Sequence, residues 1–364
     1  MRAAVFYGRG DIRVQERADP RPGPGEVVVK VLACGICGTD VHEFAAGPSM
    51  FPVHRRHPTS GHLGPMIPGH ELAGEVVETA PGVTRPAVGD LVACAASSSC
   101  GTCHWCALGR TNLCEHYSAV GLHRDGGLAQ YCAVPATTCL PVDGTGLTPD
   151  AAALAQPMAI AAHARARSRL SAGEDALVVG AGGIGAFVGV AAAAVGATVC
   201  IVDPDDARVQ VAANLGIPLA FRSPSPEALP ELLAEQRFVP DVVFEASGTT
   251  AGLDAALVAL RPGARLVVVG LQSRSAELDL RTLTLGEVEI IGTNALICHV
   301  DLPEAVLLLA RDPRRWGAVA PEALPLADVV EDGIEPMVRG RSNRVKTLVD
   351  PWAEQRRCTK MIAP

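Results

Sequence analysis

A nine-residue stretch, CGICGTDVH at residues 34–42, concentrates two cysteines, a threonine, an aspartate and a histidine. A cysteine pair spaced C-x-x-C begins thioredoxin-like redox centres, structural zinc sites and some catalytic metal sites alike. The stretch by itself therefore supports three hypotheses: a redox couple, half of a structural zinc site, or one corner of a catalytic metal centre.

Four further cysteines lie within fifteen residues, spaced C-x2-C-x2-C-x7-C: Cys100, Cys103, Cys106 and Cys114. Four thiolates in one loop match a closed tetrahedral zinc site, which stabilises the loop and leaves no ligand position for a substrate. A four-iron four-sulfur cluster uses similarly dense cysteines and is the alternative. We expect His104 and His116, which lie in the same segment, to face solvent.

The segment ALVVGAGGIGAF at residues 176–187 carries a G-x-G-x-x-G pattern directly after a strand-like run and at the start of a helix-like run. In that context the glycines permit a tight turn, a close approach of a pyrophosphate to the backbone, and close packing of helix on strand. The residues predicted to bind the dinucleotide there are Gly180, Gly182, Gly183, Ile184 and Gly185.

Asp203 ends the run TVCIVD, eighteen residues beyond Gly185, where a carboxylate can accept hydrogen bonds from the adenosine ribose. The same charge would repel a 2′-phosphate, so the sequence favours NAD over NADP. Arg208 is an argument against this preference, because a nearby arginine can accommodate the 2′-phosphate of NADP. The structural alternative for Asp203 is a helix cap ahead of Asp205 and Asp206.

His70 and Glu71 stand side by side in GHELAGEVVETAPGV, thirty-three residues after Cys37. A cysteine, a histidine and a carboxylate form a three-ligand set with an open fourth position. Such a set suits catalytic zinc.

Two kinds of secondary structure must position these groups. Residues 1–155 carry short β-type runs separated by proline and glycine, typical of an irregular β-rich domain. Residues 147–170 read as one helix. Strand-like and helix-like runs then alternate up to about residue 297, which predicts a doubly wound parallel sheet. The predicted fold is therefore α/β, with a Rossmann domain at 156–297 inserted into a β-rich domain made of 1–155 and 298–364. The patch 223–230 and the tail after Asp350 are expected to be a surface loop and a loosely held end.

The bulk composition excludes several classes of function. A net charge of −8 disfavours non-specific binding to nucleic acid or anionic membranes, and no apolar run reaches the roughly 20 residues of a membrane span. No export-signal pattern opens the chain, which predicts a cytoplasmic protein whose twelve cysteines do not form a disulfide framework. Six cysteines stand apart in the sequence and are expected to be buried hydrophobes or inert thiols: Cys94, Cys132, Cys139, Cys200, Cys298 and Cys358.

The motifs and their order resemble those of the zinc-dependent medium-chain alcohol and polyol dehydrogenases, over about residues 1–350. The family's glycine–histidine–glutamate signature is matched at Gly69, His70, Glu71, Gly74, Ala80 and Val83. The preceding insertion, HEFAAGPSMFPVHRRHPTSGHLGPMIPGHE, is similar to that of 2,3-butanediol dehydrogenases. The resemblance implies a GroES-like catalytic domain, an active site in the cleft beside the Rossmann domain, NAD, two zinc ions per chain, and a homodimer or homotetramer.

Residue by residue, the resemblance implies that Cys37 and His70 bind catalytic zinc and that Asp40 orients the His70 ring. Thr39 would pass the proton of the substrate hydroxyl, through a cofactor ribose hydroxyl, to His42 near the surface. The opening stretch is then a metal ligand with a proton relay and not a redox pair.

Gln156 replaces the glutamate that usually precedes the proline at the domain junction, and the role of Glu71 differs between branches of the family. Family members with a third cysteine ligand at the domain junction keep this glutamate off the metal, whereas polyol and sugar dehydrogenases use it directly. Here the junction reads AQPMAIAAH, so the resemblance implies that Glu71 ligates zinc and that Gln156 holds the water or substrate oxygen. Cys34 has no metal role in the family. The histidines of the insertion are expected to be loop residues: His54, His57 and His62.

The resulting prediction is a zinc-dependent oxidoreductase that transfers hydride between NAD(H) and a secondary alcohol or vicinal diol, or the corresponding ketone. A sugar, polyol or cyclitol dehydrogenase is the rival enzyme, which Gln156 favours and the insertion disfavours. A non-catalytic NAD-binding protein would have lost ligands or relay residues, and this chain keeps them. A zinc-ribbon nucleic-acid module fits the four cysteines but lacks a basic patch.

Overall fold

A computed structural model describes residues 1–272, 274–340, 342 and 344–363. The chain forms two compact units, one made of Met1–Ala159 with Leu296–Pro364, the other of Ile160–Ala295. The sequence pattern puts the breaks at 155/156 and 297/298. The first structural break lies four residues later, inside a continuous helix where no proline or glycine marks it.

The strands are numbered in chain order. They are β1 (Arg2–Gly8), β2 (Asp11–Glu16), β3 (Glu26–Ile36), β4 (Glu71–Thr79), β5 (Leu91–Cys94), β6 (Ser97–Ser98), β7 (Ser118–Ala119), β8 (Tyr131–Pro135), β9 (Cys139–Pro141), β10 (Asp175–Val179), β11 (Thr198–Asp203), β12 (Leu219–Arg222), β13 (Val242–Glu245), β14 (Arg265–Val268), β15 (Glu289–Gly292), β16 (Glu322–Pro325), β17 (Thr347–Asp350) and β18 (Arg357–Cys358).

The α-helices are numbered in the same way. They are α1 (Gly38–Ala46), α2 (His104–Ala107), α3 (Pro149–Ala152), α4 (Ala155–Ser168), α5 (Gly185–Ala194), α6 (Asp206–Asn214), α7 (Leu229–Glu235), α8 (Thr250–Val258), α9 (Leu280–Leu285), α10 (Cys298–Ala310) and α11 (Glu335–Val338). Among the described residues, none of these helices has both the length and the apolar character that crossing a membrane requires.

The first unit is organised around the long strand β3. Its main sheet has the order β18-β16-β17-β3-β4-β5-β9, and β8 also pairs with β3. Valines dominate β3 because branched side chains pack well on a pleated surface, and Val27, Val29 and Val31 are fully buried in the core of this unit. The unit is the β-rich domain that the pattern of short strands predicts.

The second unit contains a six-stranded parallel sheet in the order β12-β11-β10-β13-β14-β15. Its four inner strands, β11, β10, β13 and β14, read as apolar runs, as expected where helices cover both faces of a sheet. The strand order reverses between β10 and β13, and ligands bind at the carboxyl ends of the strands at such a reversal. This confirms the predicted α/β fold with a doubly wound parallel sheet.

The tail after Asp350 is held to the first unit, so the expectation of a loose end is wrong. Both terminal nitrogens of the Arg357 guanidinium donate to the Asp150 carboxylate at 2.8 Å, and the backbone N–H of Lys360 donates to the same group at 2.8 Å. Asp150 lies in α3, more than two hundred positions earlier, so no local pattern could reveal this tie.

Two further local predictions need correction. Residues 147–170 read as one helix, but the structure divides them into α3 and α4. The patch 223–230, read as a surface loop, instead leads through a short 3-10 turn, Pro226–Ala228, into α7. Leu229 and Leu233 of α7 are buried in the core of the second unit, because these leucines lie one turn apart on the same helix face.

Candidate active site

Three neighbouring strands, β17, β3 and β4, bring the proposed metal ligands to one corner of the sheet. Cys37 directly follows β3, and Lys346 directly precedes β17. His70 and Glu71 stand at the start of β4, where Glu71 pairs with Gly35 of β3. Residues up to 275 positions apart in sequence therefore meet in one place.

Cys37, His70 and Glu71 form a cluster in which one ligand atom of each lies within 4.8 Å of the others. His70 and Glu71 are buried and Cys37 is half-buried. In the part of the chain that the structure describes, Oε2 of Glu71 is buried without a hydrogen-bond partner. Because such an atom is costly to bury unpaired, the arrangement fits a bound cation.

The electrostatics of the cluster agree with this fit. Burial opposes the charging of His70, yet the negative charges of Cys37, Asp40 and Glu71 raise the pKa of its ring to about 9. The corner thus carries an excess of negative charge that a divalent cation would neutralise. Sulfur, nitrogen and oxygen donors on three protein residues are the donor set of a catalytic zinc site.

Lys346 is a functional candidate that the sequence did not reveal. Its ammonium group forms a buried ion pair with Oε1 of Glu71, and the two side chains are 4% and 0% exposed. Burial opposes its charge, but the Glu71 carboxylate raises the pKa of Lys346 above its ordinary value. The segment RVKTLVD reads only as a short strand, and no motif in it indicates a function for the lysine. Glu71 therefore has one oxygen on Lys346 and the other free for a metal.

Glycine at position 35 makes room for the Glu71 carboxylate. A β-carbon at Gly35 would overlap Oε2 of Glu71, the oxygen that has no hydrogen-bond partner among the described residues. The close approach follows from the register, which sets Gly35 directly opposite Glu71 in the β3–β4 pair. The strand is therefore shaped to accept the carboxylate at the metal corner.

Helix α1 positions the predicted relay. Cys37 is its N-cap, and the backbone N–H of Cys37 donates to Oδ2 of Asp40 at 2.9 Å. The other oxygen, Oδ1, lies 3.8 Å from Nδ1 of His70, which is beyond hydrogen-bond distance, and the orienting role of Asp40 stays a prediction. Oγ1 of Thr39 lies 3.8 Å from the Cys37 sulfur. His42, one turn further along α1, is exposed.

Gln156, Cys34 and the insertion histidines lie outside the three-residue candidate metal cluster. Gln156 lies in the first turn of α4 and is buried, and its contact with a zinc-bound oxygen stays a prediction. Cys34 is fully buried in β3, as expected for a packing residue. Among the described residues, the insertion histidines belong to neither candidate metal cluster, and His57 instead stacks on His123 with ring centroids 4.3 Å apart.

The second cluster consists of the four cysteines of the 100–114 loop. The Cys100–Cys114 and Cys103–Cys106 sulfur pairs are separated by 3.5 and 3.6 Å, and the Cys103–Cys114 and Cys100–Cys106 pairs by 3.9 and 4.0 Å. Four sulfurs around one zinc at 2.3 Å form a tetrahedron with edges of about 3.8 Å. The spacing therefore suits a single ion rather than an iron–sulfur cluster. His104 and His116 are exposed, as predicted.

Hydrogen bonds within this loop stabilise the thiolate form of Cys100, its first cysteine. The N–H and hydroxyl groups of Thr102 and the N–H of Cys103 donate to the Cys100 sulfur, and they lower its pKa to about 5. Burial acts in the opposite direction on Cys114 and raises its pKa to about 12. A metal ion would supply the positive charge that lets the buried sulfur ionise as well.

Cys103→Ser is expected to remove one zinc ion and to lower the unfolding midpoint by roughly 5–10 °C, the effect of a few kcal/mol in a unit of about 200 residues. The reason is that binding energy at a closed site stabilises the fold directly. Metal analysis and thermal unfolding would measure both effects. Cys358→Ser, which changes an exposed thiol, is the control and should alter neither. An unchanged midpoint with lost turnover would mean that the loop is misinterpreted.

The second unit carries the nucleotide fingerprint at the predicted point. Val179 ends β10 and Gly185 begins α5, so the glycine loop spans the carboxyl end of a central strand. A β-carbon on Gly185 would overlap the carbonyl oxygen of Gly180, so the third glycine permits the close packing of helix on strand. The N-terminal end of α5 then faces the position that a pyrophosphate takes in this fold.

Asp203 is the last residue of β11 and is buried. Its Oδ2 accepts a hydrogen bond from the N–H of Ala181 in the glycine loop at 2.8 Å, and Oδ1 accepts one from Asp205 at 2.9 Å. The cap of α6 is Asp205, which removes the helix-cap alternative for Asp203. Arg208 Nη1 lies 3.8 Å from the Asp203 carboxylate and partly balances its charge.

Glu245, at the end of β13, was also missed by sequence reasoning. Its fully buried carboxylate accepts hydrogen bonds from the Ser247 N–H and hydroxyl, the Gly248 N–H and the Gln272 amide at 2.6–2.9 Å. It therefore holds the loop that follows β13, beside the glycine loop after β10. Only the strand order makes the two loops neighbours.

Comparison with known proteins places the two units in one class of enzyme. The family model for the alcohol dehydrogenase GroES-like domain matches residues 23–144, and that for zinc-binding dehydrogenase matches residues 183–311. The first match contains both cysteine motifs and the second begins within the glycine loop. The fold and the site thus define a zinc-binding dehydrogenase with a GroES-like domain and a Rossmann domain.

The chain is also similar to individual dehydrogenases of this class. The chain is 32% identical to the (R,R)-butanediol dehydrogenase of Neisseria gonorrhoeae, over 96% of this chain and 99% of that protein. It is 36% identical to the L-galactonate-5-dehydrogenase of Escherichia coli, over 71% and 72% of the two chains. The crystal structure of 2R,3R-butanediol dehydrogenase from Bacillus subtilis superposes with a TM-score of 0.86 at 30% identity, covering 96% of this chain and 99% of that one.

The chain belongs to the zinc-dependent medium-chain alcohol and polyol dehydrogenase family. It is an NAD(P)-dependent zinc oxidoreductase that interconverts secondary alcohols and ketones.

Proposed function

We propose that this enzyme oxidises a vicinal diol or related secondary alcohol with NAD and reduces the corresponding ketone in reverse. The observation that carries the proposal is the cluster of Cys37, His70 and Glu71. Zinc held there would supply a Lewis acid for the substrate oxygen, and NAD(H) would supply the hydride acceptor or donor. The cation that this acidic, largely buried cluster would hold is what would stabilise the negative charge that develops on the substrate oxygen.

The side chains of α1 would carry the proton. Thr39, whose hydroxyl oxygen lies 3.8 Å from the Cys37 sulfur, would accept the proton of the substrate hydroxyl and pass its own hydrogen onward. His42 is exposed and would exchange that proton with solvent. Asp40 would keep the His70 ring in the orientation needed for ligation. Gln156 would hold the substrate or water oxygen through its amide.

A substrate screen tests the proposal. Diols, acyloins, sugars and polyols would be offered with NAD or NADH, and the change in NADH absorbance would be followed for the zinc-loaded enzyme. We expect vicinal diols, and acyloins in the reverse direction, to show the highest kcat/KM. No turnover of any secondary alcohol would favour a non-catalytic NAD-binding protein instead.

A sugar or polyol substrate is the second candidate. Gln156 favours it, because the resemblance associates a Glu or Gln before the junction proline with enzymes of that kind. The L-galactonate-5-dehydrogenase relative supports it as well. Higher kcat/KM for polyols or sugar acids than for butanediol in the same screen would select this candidate.

We further propose two zinc ions per chain, a preference for NAD over NADP, and a homodimer or homotetramer. The two donor clusters support the zinc stoichiometry, and the buried carboxylate at the end of β11 supports the cofactor preference. A cytoplasmic location stays a prediction of the sequence.

Asp203→Asn is expected to raise the ratio of kcat/KM with NADP to that with NAD by about 10- to 100-fold, which corresponds to about 1–3 kcal/mol for a charged hydrogen bond. Asparagine keeps an acceptor for the Ala181 N–H but removes the repulsion of a 2′-phosphate. Steady-state kinetics with both cofactors measure the ratio. The control is Asp205→Asn, which changes a carboxylate two residues away that caps α6. A parent enzyme that already prefers NADP would show that Arg208 dominates.

A further inference from the structure

Cys94 and Cys139, which stand apart in the sequence, face each other across two strands. Cys94 is the last residue of β5, Cys139 is the first residue of β9, and the antiparallel register pairs them directly. Their sulfur atoms are 3.5 Å apart. The two cysteines are 45 positions apart in the sequence, so only the strand pairing reveals their contact.

The hydrogen-bond pattern shows which kind of pair they form. In this ladder the N–H of Ala95 donates to the Thr138 carbonyl at 2.8 Å, and the N–H of Val142 donates to the Leu91 carbonyl at 2.8 Å. Hydrogen-bonded and non-hydrogen-bonded pairs alternate along antiparallel strands, so Cys94 and Cys139 occupy a non-hydrogen-bonded pair. There the α-carbons are about 4.5 Å apart, within the range of about 4.4–6.8 Å that a disulfide spans.

We propose that Cys94 and Cys139 form a reversible dithiol–disulfide couple, a modification site that joins β5 to β9 when the enzyme meets a low-molecular-weight disulfide. The couple involves neither the substrate nor the ligands of the catalytic metal. Strand register sets the two sulfurs 3.5 Å apart, and no backbone hydrogen bond joins this residue pair.

The exchange proceeds in two balanced steps. The Cys139 thiolate attacks one sulfur of glutathione disulfide, so that a mixed disulfide forms and one glutathione thiolate leaves. The Cys94 sulfur, after losing its proton to water, then attacks the Cys139 sulfur and displaces the second glutathione thiolate. One disulfide is reduced to two thiols, and the two protein thiols are oxidised to one disulfide.

The exposure of the two cysteines indicates which one attacks first. Cys139 is half-buried, whereas Cys94 is 1% exposed and lies in the core of the first unit. The hydrogen bond with Cys139, together with burial, raises the pKa of the Cys94 thiol well above its ordinary value. The accessible Cys139 is therefore the residue that meets the external disulfide, and Cys94 is the one that resolves it. We expect the reaction to become faster as the pH rises, because it needs thiolates.

The test is to incubate the zinc-loaded enzyme with glutathione disulfide, denature it, label free thiols with N-ethylmaleimide and measure the intact mass. The wild type should carry two fewer labels than the reduced protein with its twelve cysteines, with no added glutathione. Fragmentation of the cross-linked peptide should locate the bond between Cys94 and Cys139. Dithiothreitol should restore both labels.

Variants separate the pair from the other thiols. Cys94→Ser and Cys139→Ser should each abolish the loss of two labels, and Cys94→Ser should instead retain one glutathione on Cys139. The matched control is Cys200→Ser, a buried strand cysteine whose cross-strand neighbours are Leu177 and Leu219, and it should leave the loss unchanged. A bond mapped to Cys132 or to the four-cysteine loop would overturn the proposal. So would a wild type that keeps all of its labels, or carries glutathione without the cross-link.

Discussion

Cys37→Ala is expected to lower kcat/KM by about a thousandfold or more, while the chain stays folded and keeps one of its two zinc ions. The substitution removes the only sulfur of the three-residue cluster at the ends of β3 and β4. A Lewis acid stabilises the transition state by several kcal/mol, and each 1.4 kcal/mol is about tenfold in rate. Zinc analysis, circular dichroism and steady-state kinetics on the same sample measure the three quantities.

The matched control for this experiment is Cys34→Ala, which removes a sulfur from β3 three residues before Cys37. Cys34 is fully buried and its neighbours are packing contacts, so the change should cost stability but leave both zinc ions and most of the activity. If Cys37→Ala retains two zinc ions or full activity, the catalytic-zinc assignment is wrong. If Cys34→Ala behaves like Cys37→Ala, the loss reflects damage to the strand and not a missing ligand.

Lys346→Met is expected to destabilise the zinc-free first unit by about 3–5 kcal/mol, the cost of leaving one member of a buried ion pair without its partner. Glu71 would then face Cys37 and Asp40 without its cationic partner. Zinc should restore part of the loss, because the cation replaces the ammonium as the partner of the carboxylate. Urea unfolding of the zinc-free and zinc-loaded variants measures both effects.

Arg339→Met provides the comparison for Lys346→Met, since it removes a cation from an exposed ion pair with Glu335 one helical turn away. Such a pair contributes about 0–1 kcal/mol. The pH dependence gives a further check: burial opposes the charge of Lys346, but Glu71 raises its pKa above 10.5. The stabilisation is therefore complete below about pH 10.5 and disappears only as the pH rises through the raised pKa. Equal effects of the two substitutions would mean that the buried pair does not stabilise the site.

The sequence predicted those features whose residues are close together along the chain or recur with a regular period. The glycine loop, the four-cysteine loop and the C-x-x-C stretch are each contained in fewer than twenty residues. The alternation of apolar runs predicted the doubly wound sheet, because each strand and helix of such a fold is a local element. The prediction of helices was poorer where tertiary contacts decide, as at α7.

Features that depend on strand pairing could not be predicted. The Lys346–Glu71 pair joins positions 275 residues apart, and Arg357 holds the tail by contacting Asp150 across 207 residues. Cys94 and Cys139 meet only because β5 and β9 pair in one register, and a shift of one residue would turn their side chains to opposite faces.

The sequence by itself determined the chemistry available to this protein: thiolate, imidazole and carboxylate ligands, a nucleotide loop, and the types of element that carry them. The tertiary structure decided which of these groups share a site and what charge surrounds them. The physical reason is that ligand type is a property of each side chain, whereas proximity and burial arise from β-strand pairing between distant segments, which no short stretch of sequence encodes.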